Sequence, residues 1–281
     1  MAAPGRSERV GPDPDGRTEQ GIQPLSGPHT YMERAVSTWT SDRFGPVAVL
    51  TFTREPGNFM DFSSMVQLGS LLEDLARQTD QVKVVMLASG LDDRFIDHAE
   101  LSDLARAGAG RASEEELGSW SRALRLLEEI PQPTIAAVDG LASGGGNEIA
   151  LACTLRVASP RSRFQQPEVA VGIIPGGGGS VRLPRLIGPS RAAEAILTGR
   201  LVFAEEALRV GWVNTLLTGT DFPQEALRWV EAIAGNSAPA LHAAKHSVVA
   251  GSRLPFGDAI ATERRLFGEL TAGNEALTSG S

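Results

Sequence analysis

Two glutamates and a run of glycines have the spacing of an acid–base site. Glu148 follows the glycines at 144–146 with one residue between, and Glu168 comes twenty residues later, directly after Pro167. The apolar run at 134–138 predicts a buried strand ahead of the glycines, and helical patterning follows them. Backbone N–H groups at a helix start lack intrahelical partners, and the helix dipole adds partial positive charge there. The pattern therefore predicts two carboxyl groups beside amides that can hold an oxyanion.

The two carboxyl groups suit different roles. Glu148 falls in the first turn of the predicted helix, where the dipole favours the ionised form, so we expect it to be the base that orients water. Glu168 follows Pro167, and apolar residues such as Ile173 and Ile174 are expected to keep it protonated as the proton donor. Each alone also fits a structural role, as an acid at a helix start or a residue of a solvated turn. Their occurrence together with the glycines favours the site.

Composition is typical of one compact unit with an appendage. Of the 281 residues, 42% are hydrophobic, which is enough for a sizeable core. The net charge of −8 argues against a nucleic-acid partner, which needs a basic patch. Cys153 is the single cysteine, so we expect neither an intrachain disulfide nor a cysteine metal cluster. We also expect no signal peptide and no membrane span, and hence a cytoplasmic location.

The predicted elements divide the chain into three regions. Residues 1–29, rich in Gly, Pro and charge, are expected to form a disordered extension. Residues 30–200 alternate strands and helices in the order β, β, α, and residues 201–281 are mostly helical. The predicted class is therefore α/β. In the first half we expect strands over 36–39, 47–53 and 82–88, a helix with an apolar stripe from Met65 to Leu75, and another helix over 113–130.

Four motifs make the chain similar to the enoyl-CoA hydratase/isomerase (crotonase) family over roughly residues 47–267. They are GGG-x-E at 144–148, FxQPE at 164–168, GIIPGxGG at 172–179 and RLPRLIG at 182–188. The resemblance implies the family's ClpP-like ββα spiral, with a C-terminal helical region through which subunits form trimers or hexamers. It also implies a cytoplasmic enzyme of fatty acid metabolism. No separate cofactor is expected, because coenzyme A is part of the substrate.

Both glutamates found in the family's hydratases are present, at 148 and 168. The resemblance therefore implies a lyase that adds water to a 2-enoyl-CoA thioester to give 3-hydroxyacyl-CoA. It implies, too, that the backbone amides of Ala99 and Gly145 form the oxyanion hole. The chain departs from the family just before Ala99, where Asp97 and His98 replace an Ala-Gly pair.

Further residues are candidates for substrate contact. Arg54 lies where relatives hold coenzyme A, with a surface ion pair as the alternative. His98 is either a second acid–base group of the site or a loop residue in place of glycine. The glycines at 176–179 lack the GK[ST] ending of a phosphate loop and, by resemblance, form a turn beside the acyl pocket. The substrate-binding candidates are Arg54, His98, Gly144, Pro175 and Gly176.

Two other expectations concern Lys245 and the histidines. Lys245 matches a lysine common in relatives, and its place on a predicted helix favours an exposed face. The histidines have no ligand spacing with cysteine or acidic clusters, so no metal site is expected.

The sequence leaves alternatives to hydration open. They are another crotonase-type reaction on an acyl thioester, such as isomerisation, hydrolysis, C–C bond formation or decarboxylation, and a relative without catalytic activity. The thioester carrier is either coenzyme A or an acyl carrier protein.

Overall fold

The computed structural model describes residues 38–272, so the extension predicted over residues 1–29 lies outside the described part. The strands are β1 (Trp39–Phe44), β2 (Val47–Phe52), β3 (Val84–Ser89), β4 (Thr134–Val138), β5 (Leu141–Ser143), β6 (Leu155–Ala158), β7 (Arg163–Gln165), β8 (Val202–Phe203) and β9 (Thr215–Leu216). The helices are α1 (Phe62–Ala76), α2 (Leu101–Gly108), α3 (Glu114–Glu129), α4 (Gly145–Ala152), α5 (Gly179–Ile187), α6 (Pro189–Thr198), α7 (Ala204–Val210), α8 (Phe222–Ala234), α9 (Ala238–Gly251) and α10 (Phe256–Ala272). One 3₁₀ turn covers Glu168–Val171.

The strands form two sheets. A six-stranded sheet has the order β1-β2-β3-β4-β6-β9, and a three-stranded sheet has the order β5-β7-β8. Pairing from β2 to β9 is parallel, as is β5 with β7. In the units β4-β5-α4 and β6-β7-α5, the first strand joins the large sheet and the second joins the small one. The chain therefore winds as a spiral of ββα units, and the carboxyl ends of β5 and β7 lie side by side.

The large sheet is covered on both faces. Along β2, Val47 and Val49 pack in a cluster with α8, whereas Ala48, Leu50 and Phe52 point to the opposite face and the main core. Successive side chains of a strand point to opposite faces, so a strand with two covered faces reads as a continuous apolar run. No helix within residues 38–272 combines the length and apolar character needed to cross a membrane.

Helix α3 is fixed at its start and on one side. Ser113 accepts from the Glu116 amide, and the Glu116 side chain accepts from the Ser113 amide, a capping box that sets the first turn. The helix packs along α1, whose cap is Asp61. The helix predicted over 113–130 and the strand predicted over 134–138 are confirmed.

Some predicted elements differ from the observed ones. The first strand was placed over 36–39, but β1 begins at Trp39 and runs to Phe44, while Val36 lies outside the described residues. Polar residues occupy most of β1 because it is an edge strand with an exposed face, so hydrophobicity alone does not mark it. Strand β5 was not predicted, since three residues give too short a pattern. Two strands after residue 200, β8 and β9, also join the sheets.

The expectation of an exposed Lys245 is wrong. Its side chain is buried, and the ammonium donates to the carbonyl oxygens of Leu127, Ile130 and Gln132 at 3.1, 2.8 and 2.9 Å. These carbonyls lie in and just after the last turn of α3, where no intrahelical donors remain. Lys245 therefore attaches α9 to the carboxyl end of α3.

Candidate active site

A glycine corner leads from β5 into α4 and positions Glu148. Gly144 has φ +48°, a conformation that side chains disfavour, and α4 begins at the next residue. Glu148 lies in the first turn of α4 and is only 3% exposed. Its Oε1 accepts a hydrogen bond from the Gly179 amide at 2.7 Å, and Gly179 is the first residue of α5. The carboxyl group of one helix is thus held at the amino end of another.

Burial dominates the electrostatics of Glu148. Loss of water raises the pKa of this carboxyl group from 4.5 to about 7. Hydrogen bonds from the Gly179 and Gly177 amides oppose that rise, and the nearby Glu168 adds to it. The expectation that the helix dipole would keep Glu148 ionised is therefore corrected: in a site this dry, desolvation outweighs the dipole, and the carboxyl group exchanges its proton near neutral pH.

Glu168 starts the 3₁₀ turn that follows Pro167. Its Oε1 accepts from Gln166 Nε2 at 3.2 Å, while the buried Oε2 has no hydrogen-bond partner among residues 38–272. Burial also raises the pKa of Glu168. Ile173 and Ile174, the apolar residues predicted to wall it, are 46% and 70% exposed, and their part in its burial stays a prediction.

The structure brings the predicted residues of the oxyanion hole next to each other. A Cβ added at Gly145 would lie 3.3 Å from the amide nitrogen of Ala99 and 2.5 Å from the Trp120 ring. A Cβ at Gly144 would lie 3.4 Å from Glu168 Oε1. Within the described part of the chain, the amides of Ala99 and Gly145 donate to no other residue. Two unused amides thus lie close to each other, and Glu168 lies beside the neighbouring Gly144.

The loop ahead of Ala99, where the sequence departs from the family, is held by several contacts. The Gly146 amide donates to the Asp97 carbonyl oxygen at 2.9 Å, which ties the loop to the start of α4. Asp97 Oδ1 accepts from the His98 amide at 2.9 Å, and Oδ2 pairs with Arg94. His98 stacks on Phe59 at 4.5 Å between ring centroids. The two unusual residues therefore brace the loop through side-chain contacts.

His98 also faces the acid–base pair. The His98 Cβ atom lies 3.3 Å from the position that a Cβ at Gly144 would take. The electrostatic interaction with His98 acts to lower the pKa of Glu168. The His98 Nδ1 atom lies 2.8 Å from the Ala99 carbonyl oxygen, which only accepts, so Nδ1 is the donor in that bond. This leaves Nε2 available to a ligand.

The remaining candidates for substrate contact lie at the rim. Arg54 is engaged in ion pairs with Glu100 at 3.0 Å and Asp61 at 3.5 Å, beside the Ala99 loop. Pro175 is buried and Gly176 is exposed, with open space where a Cβ would be. Arg54 is thus held by acidic neighbours, and Gly176 borders an open surface.

Sequence reasoning missed the residues that hold the glutamates. Gly177 and Gly179 bind Glu148, and a Cβ at Gly177 would lie 2.5 Å from Glu148 Oε2. Gln166 is fully buried and links Glu168 to Asn147. The one available signal was the glycine run at 176–179, because successive glycines permit close backbone approach.

A buried and a half-buried glutamate on adjacent turns of a ββα spiral define a protein of the crotonase fold. Residues 43–279 match the enoyl-CoA hydratase/isomerase family, and the chain belongs to that family. It is 31% identical over 229 residues to the short-chain-enoyl-CoA hydratase of Clostridium acetobutylicum, covering 81% of this chain and 87% of that protein. It is 36% identical over 195 residues to the peroxisomal fatty acid beta-oxidation multifunctional protein MFP2 of Arabidopsis thaliana, covering 69% of this chain and 27% of that protein.

Solved structures show the same fold. The enoyl-CoA hydratase of Bacillus anthracis aligns with a TM-score of 0.78 and 29% identity, over 85% of this chain and 93% of that one. The α/β spiral with its C-terminal helices is therefore the crotonase architecture.

Proposed function

We propose that this protein is an enoyl-CoA hydratase, a lyase that adds water to a 2-enoyl-CoA thioester and releases 3-hydroxyacyl-CoA. The observation that carries the proposal is the pair of carboxyl groups, buried Glu148 and half-buried Glu168, both with raised pKa values, in a site with two unused amides. The similarity to proteins named as enoyl-CoA hydratases supports it. The substrate class follows from the family, and the chain length of the acyl group is left to the assay.

The oxyanion hole supplies the electrostatic part of the mechanism. The amides of Ala99 and Gly145 donate to the thioester carbonyl oxygen, which gains negative charge when water attacks the β-carbon. Donors of this type are worth about 3 kcal/mol of barrier each, because they are already oriented and shielded from water. They stabilise the enolate more than the substrate, so they raise kcat.

The glutamates supply the proton transfers. Glu148 takes a proton from the attacking water as the C–O bond forms at the β-carbon, and Glu168 gives a proton to the α-carbon. Water thus adds across the double bond, and proton exchange with solvent returns both carboxyl groups to their starting states. A general base works best when its pKa lies near the working pH, and Glu148 has a pKa of about 7.

The test is incubation with crotonyl-CoA while the absorbance of the conjugated thioester is followed. Hydration predicts its loss and the appearance of 3-hydroxybutyryl-CoA. Glu148→Gln and Glu168→Gln should each lower kcat by about 10²- to 10⁴-fold, while Glu206→Gln, in an ion pair away from the site, should not.

Other outcomes contradict the proposal. No absorbance loss with 2-enoyl-CoA esters of any length would refute hydration. Movement of the double bond in a 3-enoyl-CoA without uptake of water would identify an isomerase instead. Retention of acetoacetyl-CoA on a desalting column without any turnover would indicate a non-catalytic relative. Parallel assays with acyl-carrier-protein thioesters identify the carrier.

Assembly and location are further parts of the proposal. Large apolar side chains on α9 and α10, Val248, Phe256 and Phe267, are 72%, 82% and 68% exposed in the single chain. Large apolar side chains with this exposure are expected to be buried between subunits, which supports a trimer or a hexamer. Sedimentation velocity distinguishes these states from a monomer. We propose a cytoplasmic location, which fractionation of the source cells would test.

A further inference from the structure

Glu128 is a half-hidden carboxylate that joins three separate elements. It lies on α3 with its side chain 18% exposed. Its Oε1 accepts from Arg182 of α5 at 2.8 Å, and its Oε2 pairs at 2.5 Å with Arg253, which follows α9. Burial acts to raise the pKa of Glu128, but the two arginines hold it below the ordinary value. Glu128 therefore stays ionised and attaches both arginines to α3.

Arg182 extends this chain of contacts to the active site. Its Nε binds Glu128, and its Nη1 donates to the Gly177 carbonyl oxygen at 2.6 Å. Gly178, with φ +95°, forms the cap of α5, and a Cβ there would lie 2.2 Å from the Arg182 guanidinium. The arginine thus lies directly against the tight turn at 177–179. The amides of the residues on either side of Gly178 are the ones that bind Glu148.

We propose that Glu128 and Arg182 are positioning residues for Glu148, because they fix the backbone turn at 177–179 whose amides hold its carboxylate. Neither touches Glu148 through its own hydrogen bonds; each acts through the Gly177 peptide. The consequence for turnover rests on the proposed hydratase function. The effect on the carboxyl group itself does not, so it can be measured without substrate.

The charged groups that face Glu148 make the test decisive. They are Glu168 from the 3₁₀ turn and Arg182 from α5, while α3 presents Leu124 to the Gly177 turn. Glu128→Gln removes a negative charge from the surroundings, which by Coulomb's law alone lowers the pKa of Glu148 or leaves it unchanged. A loosened turn weakens the amide hydrogen bonds to the carboxylate and raises that pKa. The two effects have opposite signs.

The experiment is a carbon NMR titration of the full-length protein with isotope-labelled glutamate, without substrate. The Glu148 signal is assigned by its loss in Glu148→Gln. We expect the Glu148 titration to move to higher pH in Glu128→Gln and further in Arg182→Gln, which also loses the nearby positive charge. Glu206→Gln is the matched control, since Glu206 pairs with Arg200 at 2.7 Å with 28% of its side chain exposed. A Glu148 titration that is unmoved or moved to lower pH in Glu128→Gln overturns the proposal.

Steady-state kinetics with crotonyl-CoA then give the second readout. Displacing a reacting group by up to about 1 Å lowers the rate by up to about 10²-fold. We expect Glu128→Gln to lower kcat by about 10-fold with KM nearly unchanged. The rising limb of its pH–rate profile should move to higher pH, in the same direction as the NMR titration of Glu148. An equal loss of kcat in Glu206→Gln, or a lower kcat in Glu128→Gln with an unmoved pH–rate profile, would show that Glu128 and Arg182 only stabilise the fold. If the wild-type protein hydrates no 2-enoyl-CoA ester of any length, the proposed function fails while the titration still decides the positioning role.

Discussion

Replacing Glu148 by Gln should stabilise the protein at alkaline pH while it removes activity. The carboxyl group has an ordinary pKa of 4.5 when unfolded and a pKa of about 7 when buried in the folded chain. The folded state therefore binds its proton more tightly than the unfolded state between these values. Stability is full below about pH 4.5 and falls as the pH rises to about 7, because ionising the buried group favours unfolding.

The size of the effect follows from the difference between the two pKa values. One pKa unit corresponds to about 1.4 kcal/mol, so the ionised Glu148 lowers the free energy of unfolding by about 3 kcal/mol above pH 7. Glutamine has nearly the same shape and carries no charge, and its oxygen can still accept from the Gly179 amide. The variant should exceed the stability of the wild-type protein by under about 1 kcal/mol near pH 5 and by about 3 kcal/mol near pH 8.

Urea unfolding at fixed protein concentration, repeated from about pH 5 to pH 8, measures this difference. Glu206→Gln provides a control of opposite sign, since Arg200 holds the pKa of Glu206 below its ordinary value and its charge is stabilising. That variant should lose a small amount of stability, under about 1 kcal/mol because the pair is partly exposed. This reasoning would be refuted if the stability gain of Glu148→Gln did not depend on pH. It would also be refuted if the wild-type protein were more stable than the variant near pH 8.

Two more substitutions test the site and the fold. Gly145→Ala places a Cβ 2.5 Å from the Trp120 ring and 3.3 Å from the Ala99 amide, so kcat should fall by about 10²-fold, whereas Gly118→Ala, with open space at its Cβ, should keep its activity. Full activity in Gly145→Ala would exclude the assigned oxyanion hole. Lys245→Met removes the donor from the Ile130 and Gln132 carbonyl oxygens at the end of α3, while that of Leu127 keeps Thr134, and should lower the free energy of unfolding by about 3 kcal/mol in a urea titration. Lys83→Met, which removes one exposed hydrogen bond, should change it by less than about 0.5 kcal/mol, and equal losses in the two variants would contradict the capping role.

Local patterns were sufficient for the central elements. The apolar run at 134–138 became β4 with the predicted bounds, because a strand covered on both faces has a continuous apolar sequence. The helix predicted over 113–130 is α3, since its capping box and apolar spacing are both local signals. By contrast, β1 and β5 were misplaced or missed, as an exposed edge strand and a three-residue strand carry little pattern.

The sequence alone determined the residue types of the candidate site, the family and the spiral fold, because the glycine turn and both glutamates lie within short motifs. Only the tertiary structure decided what surrounds them. The high pKa of Glu148 comes from burial, and the Gly177 and Gly179 amides that moderate it are about thirty residues away in the chain. Lys245 was expected at the surface and is buried against α3, more than a hundred residues away. Desolvation and hydrogen bonding between distant segments depend on how the elements pack, and a residue's neighbours in the sequence do not carry that information.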